Sequence, residues 1–364
     1  MYPTIVSMIY NINKIENPNN KNRKKINDYI ELSKKFILTL PYPLIIFIEN
    51  NEKEIYDYIY ETRKNFNLLE ITYIYQIDLN ETYFYKDLSK LEELQKTYFI
   101  INGDLNHETP MYIILNNNKF FFMEKTIELN PFNSSHFIWM DFGINHVAQN
   151  TEKIHEWINV IPDKIKQLCI NPYTENVDNK QMFQVIYHHT AGGLFSGSKE
   201  NMLKYIELFK KKTEQIYNEN WYQIDEAVMT MVQRENPDLF EFFYGDYHGI
   251  VSNYLKPIHN MNLILRSSQK YIDANKTKQA FDVIVYCIDY FNEHLNDPLI
   301  YLFLNQHIIV DYYYNNKLLL DKIIYFMNLK LTSENQHDKE KIYVLLKNNK
   351  ANIDLYENKD KITK

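Results

Sequence analysis

The sequence predicts an α/β fold in which a parallel or mixed β-sheet is covered by helices. Short apolar runs alternate along the chain with longer segments whose apolar residues recur at helical spacing. This alternation is typical of strands connected by helices that pack on the sheet. The chain has 364 residues, of which 45% are hydrophobic, so it is long enough to bury a sizeable core.

The predicted elements follow in order from the N terminus. Strands are predicted at residues 4–12, 43–48, 71–77, 137–140 and 185–187. Helices are predicted at residues 25–40, 52–66, 86–96, 119–128, 198–217 and 225–232. Asn130-Pro131 ends one of these helices, and Ser198 is an N-cap for another. Glycine is absent after residue 260 and the pattern becomes almost wholly helical, which predicts a domain over residues 1–260 and a helical C-terminal extension over residues 261–364.

Composition and charge exclude several classes of protein. A net charge of −7 argues against nucleic acid as a partner, because attraction to polyphosphate needs a basic face. Cys169 and Cys287 lie far apart in the sequence, which argues against a disulfide framework and a zinc cluster. No stretch reaches the roughly 20 apolar residues of a membrane span, and the opening apolar segment is too short for a signal peptide. We expect a soluble, cytoplasmic protein, and a homo-oligomer stays open as an alternative to a monomer.

The first candidate motif is Phe137-Ile138-Trp139-Met140-Asp141-Phe142-Gly143, a short apolar strand followed by an acid and a glycine. Its Asp-Phe-Gly also occurs in protein kinases, but no glycine precedes Gly103, so the phosphate loop of a kinase is missing. Ligands of open α/β sheets bind beyond the carboxyl ends of strands. Asp141 is therefore expected to face a nucleotide diphosphate through a divalent cation, the alternative being that it caps the next turn.

The second motif is Tyr187-His188-His189 followed by the Gly192-Gly193 pair, which we interpret as a turn. Paired glycines let backbone N–H groups approach a ligand, and an imidazole can bind sugar hydroxyls or phosphate. Adjacent histidines of a strand point to opposite faces, so at most one of them reaches the ligand. The spacing fits neither a dinucleotide-binding fingerprint nor a Walker loop.

The third motif joins Asp225-Glu226 with the Gly245-to-Gly249 loop, which contains Asp246 and His248. Two acids at a helix start either favour the helix dipole or serve as catalytic carboxylates. Asp246 and His248 are a second source of metal or diphosphate contacts.

Taken in order, these segments resemble the HtrL/YibB-like family. The similarity rests on Asn130-Pro131-Phe132, Phe137 to Ile144, Ala191 to Gly197, Asp225-Glu226, and Gly245-Asp246-Tyr247 through Asn253-Tyr254. With the opening strand and residues 44–47 it covers about residues 1–260. The helical tail lies outside it.

The resemblance implies a GT-A-type glycosyltransferase fold and transfer of a sugar from a nucleotide-sugar donor to a glycan or other hydroxyl acceptor, in cell-surface polysaccharide biosynthesis. Asp141 matches the first acid of the Asp-x-Asp motif that binds manganese or magnesium in such enzymes. Gly143 takes the place of the second acid, and Asp-x-Asp occurs nowhere in the chain. The metal requirement is therefore open, with Asp246 and His248 as further candidate ligands.

The resemblance also assigns roles to other residues. It implies donor binding by Asp141 and Lys119, with Arg63 as a lesser candidate. Gly143 and His189 are further candidates for donor contacts. The resemblance further implies acceptor binding by Gly192 and Gly193, and catalysis by Asp225 and Glu226. Two other functions stay open: an inert module of the same fold that binds glycan or protein, and a nucleotidyltransferase.

Overall fold

A computed structural model of the chain describes most of the predicted α/β region and part of the C-terminal extension. The described residues are 2–12, 25–98, 100–101, 103–104, 106–170, 178–186, 188–255, 261–294, 297, 299–306, 340–341, 344 and 347. The statements below concern these residues only.

The helices and strands alternate through the first 240 residues. The strands are β1 (Thr4–Ile9), β2 (Leu44–Ile48), β3 (Thr72–Gln76), β4 (His136–Met140), β5 (Ile165–Cys169), β6 (Thr190–Ser198) and β7 (Phe240–Tyr244). The helices are α1 (Ile26–Lys34), α2 (Lys53–Asn65), α3 (Leu88–Thr97), α4 (Pro110–Asn117), α5 (Lys119–Leu129), α6 (Ile154–Trp157), α7 (Asn179–Gln184), α8 (Lys199–Asn218), α9 (Asp225–Glu235), α10 (Met261–Asp273) and α11 (Thr277–Glu293).

The seven described strands form one mixed sheet in the order β3-β2-β1-β4-β6-β5-β7. Strands β3, β2, β1 and β4 run parallel to one another, whereas β6 is antiparallel to both β4 and β5. The predicted mixed α/β sheet flanked by helices is confirmed. Parallel neighbours place the carboxyl ends of β1 and β4 at one edge of the sheet, where Asp141 follows β4.

The central strands are apolar because neighbouring layers cover both of their faces. All five residues of β2 are buried, and so are Phe137, Ile138, Trp139 and Met140 of β4. Strand β1 lies between β2 and β4, and its Ser7 hydroxyl donates a hydrogen bond to the Met140 carbonyl at 2.7 Å. The strand that carries Asp141 is therefore anchored on both sides, by β1 and by β6.

Two predictions about the second motif are wrong. Gly192 and Gly193 do not form a turn but lie inside β6, and Val185 makes only an isolated bridge with Ile101 instead of opening a strand. Tyr187 lies outside the described residues. Glycine is normally disfavoured in strands, and at Gly192 the reason is packing, because a Cβ atom there would lie 2.7 Å from Asp225 Oδ2.

Sequence patterns also missed several elements. Strand β5 was not predicted because Lys166 and Gln167 interrupt its apolar run, yet both are buried. The Lys166 ammonium donates to Glu241 Oε1 at 2.7 Å, and the Gln167 amide donates to the Ala191 carbonyl at 3.1 Å, so tertiary partners satisfy them. Strand β7 and helix α4 were missed as well.

The chain divides into two compact units. The first comprises Met1–Cys169, Glu175–Phe243 and Ile250–Ser252, and the second Ile170–Thr174, Tyr244–Gly249 and Asn253–Lys364. The predicted boundary at residue 260 falls inside the second unit. The described part of the predicted extension contains α10 and α11, whose buried side chains include Leu265, Cys287 and Phe291. None of the helices described here combines the length and the apolar composition that a membrane crossing requires.

Candidate active site

A pocket of about 460 Å³ lies in the first unit at the carboxyl ends of β1 and β4. Its walls come from the segment after β1, from α1, from α4 and from the loop after β4. The lining residues are Met8, Ile9, Tyr10, Asn11, Ile12, Ile26, Tyr29, His107, Tyr112, Leu115, Asn116, Asp141, Phe142, Gly143 and His146. The pocket is therefore where an α/β sheet is expected to bind its ligand.

Asp141 is held in a defined orientation at the edge of this pocket. Its backbone N–H donates to the Gly193 carbonyl at 2.9 Å, which extends the β4–β6 ladder by one residue. The Trp139 indole N–H donates to Asp141 Oδ1 at 2.8 Å from a fully buried ring. The Asp141 side chain nevertheless stays 39% exposed. The carboxylate is thus fixed by the protein and still accessible to a ligand.

Lys119 is a buried cation between two carboxylates. Its side chain is only 4% exposed, and its Nζ lies 3.2 Å from Asp141 Oδ1 and 2.8 Å from Asp225 Oδ2. The ammonium also donates to the Gly192 carbonyl at 3.2 Å. Burial alone lowers the pKa of Lys119, but the Asp141 and Asp225 carboxylates outweigh burial and raise that pKa above its ordinary value. Lys119 therefore stays charged.

Asp225 reaches Lys119 because glycine occupies position 192 on the facing strand. Asp225 and Glu226 are the first two residues of α9, and Asp225 is buried. A Cβ atom at Gly192 would lie 2.7 Å from Asp225 Oδ2, too close for any side chain. The glycine of β6 is thus required for the close approach of α9 rather than for a turn.

Glu226 links the same strand to His188. One carboxylate oxygen accepts from the Gly192 N–H at 2.9 Å, and the other lies 2.9 Å from His188 Nδ1. The Glu226 side chain is 13% exposed, whereas that of His188 is 46% exposed. The hydrogen bond to Glu226 is the main cause that raises the pKa of His188, while burial opposes it.

Tyr112 and Tyr29 complete the pocket wall next to Asp141. Burial, followed by the charge of Asp225, raises the pKa of Tyr112, so its hydroxyl keeps its proton. Tyr29 of α1 packs over Gly143, where an added Cβ would lie 2.5 Å from the ring. Gly143 therefore lines the pocket through its backbone and leaves room for the tyrosine.

Two residues predicted to bind the donor are not at the pocket. Arg63 is fully buried, and its guanidinium donates to the Leu40 carbonyl at 2.6 Å and to the Tyr42 carbonyl at 3.1 Å. Arg63 is absent from the pocket lining because this late-helix cation, which looks exposed in sequence, is buried against backbone carbonyls; its role in donor binding stays a prediction. His189 is 3% exposed and lies against Cys169 Sγ at 3.4 Å, so it is a core residue. Its neighbour His188 is the exposed one.

Asp246 and His248, the other predicted metal ligands, belong to the second unit. The His248 N–H donates to Asp246 Oδ1 at 2.8 Å, a contact within their own loop. Within the described chain, no group of three or more His, Cys, Asp or Glu side chains is arranged to hold a metal ion. Their role as metal ligands stays a prediction.

The structure thus brings together Asp141, Lys119, Asp225, Glu226 and the Gly192-Gly193 pair. Sequence reasoning did not assign roles to His188, Tyr112 or Trp139. His188 is the other member of the histidine pair, and the sequence does not show which of the two side chains is exposed. The Thr109-Pro110 pair was an available signal for α4 and hence for Tyr112, because Thr is a good N-cap and Pro suits the first helical position.

Comparison with known proteins places the chain in a family. Residues 3–256 match the family described as "Bacterial protein of unknown function (HtrL_YibB)". The chain belongs to the HtrL_YibB family. The match includes β1 to β7, the pocket lining, and Lys119, Asp141, Asp225, Glu226 and His188. The resemblance found in the sequence is therefore confirmed.

A curated protein and one solved structure are similar to the chain. Protein HtrL of Escherichia coli (strain K12) is 23% identical over 167 residues, which are 43% of this chain and 59% of that protein. The chain thus matches less than two thirds of that relative's length. The crystal structure of 4-diphosphocytidyl-2C-methyl-D-erythritol synthase from Anaerococcus prevotii has a TM-score of 0.31 and 9% identity, covering 73% of this chain and 98% of that one. A likeness this low carries no conclusion about activity.

Proposed function

We propose that this protein is a glycosyltransferase that takes a sugar from a nucleotide-diphosphate donor and passes it to a hydroxyl acceptor. The observation that carries the proposal is the position of Asp141. It is an accessible carboxylate, fixed by Trp139 and Lys119, at the mouth of a pocket at the carboxyl edge of the sheet. Sheets of this class bind nucleotides at that edge.

The pocket lining suits a nucleotide sugar. Tyr10, Tyr29 and Tyr112 offer flat surfaces for a base and a ribose, and Asn11 and Asn116 offer amide groups for hydroxyls. Among the lining residues that the structure describes there is no lysine or arginine. A nucleoside triphosphate carries more negative charge than a nucleotide sugar, and the Lys119 ammonium, 3.2 Å from Asp141 Oδ1, is a described cation next to this lining.

A divalent cation fits the site if the donor supplies part of its coordination. Magnesium in such sites is held by one or two carboxylates together with substrate phosphate oxygens. Asp141 is the carboxylate in the pocket lining that would hold magnesium or manganese. When bound, the cation neutralises negative charge that develops on the departing diphosphate.

The remaining charged residues bind and orient one another and the Gly192 backbone. Lys119 balances Asp141 and Asp225, and it holds the Gly192 carbonyl. Asp225 and Glu226 are mostly covered, so they position other groups: Asp225 fixes the Lys119 ammonium, and Glu226 fixes the Gly192 N–H and the His188 ring. The acceptor is proposed to bind on the Gly192-Gly193 side of the pocket.

The test is donor binding and donor cleavage by the purified chain. Thermal shift and release of free nucleotide are measured with UDP-, GDP- and dTDP-linked sugars, with and without Mn²⁺ or Mg²⁺. We expect one donor to stabilise the protein and to be slowly hydrolysed to a nucleoside diphosphate. Asp141→Asn should weaken both effects at least about tenfold, because it removes the charge that faces the cation.

A matched control is Asp163→Asn, since Asp163 is exposed and pairs with His136 at the opposite end of β4. It should behave like the unmodified protein. Binding without nucleotide release would indicate an inert binding module. Release of pyrophosphate from a nucleoside triphosphate and a sugar phosphate would instead identify a nucleotidyltransferase.

A further inference from the structure

The two acids at the start of α9 are not placed to act on a substrate directly. Asp225 is 7% exposed and pairs with Lys119, and Glu226 is 13% exposed with hydrogen bonds at both carboxylate oxygens. The accessible end of this chain of contacts is the His188 imidazole, at 46% exposure. A proton acceptor for a substrate hydroxyl must be reachable, so the histidine is the better candidate.

Glu226 fixes the His188 ring in a form that can accept a proton. Its carboxylate accepts the hydrogen bond from Nδ1–H at 2.9 Å. In the neutral ring, a proton on Nδ1 leaves the lone pair on Nε2. Glu226 is itself held by the Gly192 N–H at 2.9 Å, so the orientation of the imidazole is tied to strand β6.

Contacts within the first unit connect His188 to the pocket. Gly192 joins Glu226 through its N–H and Lys119 through its carbonyl, and Lys119 contacts Asp141 at the pocket edge. The carboxylate of Glu108, next to the pocket residue His107, also acts on the charge of His188. His188 is not itself a lining residue, but these contacts link it through Glu226, Gly192 and Lys119 to the Asp141 carboxylate.

We propose that His188 is the general base of the transfer reaction and that Glu226 is its positioning residue; this inference rests on the glycosyltransferase function proposed above. His188 Nε2 takes the proton of the acceptor hydroxyl as the acceptor oxygen forms a bond to the anomeric carbon. The bond between that carbon and the diphosphate oxygen breaks, and the diphosphate leaves with the electron pair. The proton then passes from the exposed ring to water.

The charged surroundings of His188 give the step a defined pH dependence. Glu226, Glu108 and Asp225 all favour its protonated form, and burial opposes it, with a raised pKa as the result. A general base works only when deprotonated, so donor cleavage should rise as the pH rises through this pKa. Glu226→Gln removes the largest cause of the raised pKa and should move the rise to lower pH.

The experiment uses donor cleavage by the full chain, with water or azide as the acceptor. His188→Gln should lower hydrolysis at least about 100-fold, within the range that general bases contribute. Azide ion carries no proton to remove, so it should restore donor cleavage by His188→Gln at least about tenfold. The matched control is His136→Gln, because His136 is another histidine paired with a carboxylate, Asp163, and lies at the amino end of β4.

The outcomes separate this inference from the function on which it rests. Hydrolysis by His188→Gln at the rate of His136→Gln, or no response to azide, overturns the assignment of His188 and leaves the transferase proposal standing. An unmodified protein that cleaves no donor overturns both. A donor-induced thermal shift retained by His188→Gln shows that the variant is folded and binds donor, so that lost hydrolysis reports on the base.

Discussion

Lys119 and Arg63 are both fully covered cations of the first unit, and they differ in what surrounds them. Lys119 contacts the carboxylates of Asp141 and Asp225, and the pKa of its ammonium is raised. Arg63 contacts the carbonyls of Leu38, Leu40 and Tyr42 and the Thr72 hydroxyl, and burial lowers its pKa to about 10.

The difference in partners leads us to propose a functional role for Lys119 and a structural one for Arg63. Neutral backbone carbonyls hold the Arg63 guanidinium in place without any negatively charged partner. These hydrogen bonds are enough to connect α2 to the segment before β2. Covering a charged carboxylate costs free energy of desolvation. Carboxylates that are kept partly covered in this way are concentrated at functional sites. Of the two buried cations, Lys119 is therefore the one that we expect to contribute to ligand binding.

The largest effect is expected for Lys119→Met, which leaves Asp225 buried without its cation. The free energy of unfolding should fall by about 3–5 kcal/mol, the usual cost of breaking a buried ion pair by removing one partner. Urea denaturation measures this change. The double variant Lys119→Met/Asp225→Asn should recover a large part of the loss, because the buried charge is then gone as well. Equal stabilities of the single and double variants would contradict the pairing.

A smaller effect on stability, and none on ligand binding, is expected for Arg63→Met. It leaves buried carbonyls without donors and should lower the free energy of unfolding by about 2–3 kcal/mol. Donor affinity of the folded variant, measured by titration calorimetry, should stay within about twofold of the unmodified value, since binding depends on contacts that this residue does not make. A donor affinity that falls with Arg63→Met would show that Arg63 takes part in donor binding after all.

The smallest effect concerns the pH dependence of stability at His188. Its folded pKa is raised above the ordinary value of 6.5, so the His188–Glu226 pair stabilises the protein fully below that value. This contribution is lost as the pH rises through the raised pKa. Because the ring is about half exposed, we expect less than about 1 kcal/mol. Urea denaturation of the unmodified protein and of His188→Gln should differ more at about pH 6 than at about pH 9. A difference that grows with pH would contradict the sign.

The parallel half of the sheet could be predicted from sequence because its strands are continuous apolar runs. The five residues of β2 are all apolar and all buried, and periodicity is sufficient there. Periodicity fails for β5, where Lys166 and Gln167 are buried only because distant residues bond to them. It also fails for Gly192, a strand glycine whose need for a missing side chain comes from the approach of α9. Such tertiary partners leave no local signal.

The acids of the candidate site could be predicted from the sequence, but the contacts of the site residues could not. Asp141 follows an apolar strand, and Asp225 starts a helix, and both features are readable in the sequence. Which histidine faces outward depended on the unknown start of β6, and one residue of shift exchanges His188 with His189. The inward turn of Arg63 depended on carbonyls that are 21 to 25 residues away in the chain.

The ladder contact from the Asp141 N–H to the Gly193 carbonyl, together with the Trp139 indole, has a thermodynamic consequence. A carboxylate that the protein itself holds by hydrogen bonds loses little conformational entropy when a ligand binds. Affinity at this position is then set by charge and coordination instead of by the ordering of a loop. The backbone of β4 and β6 should accordingly superimpose in free and donor-bound crystals, and the adjustment on binding should fall to the opposite wall, where Tyr29 lies over Gly143.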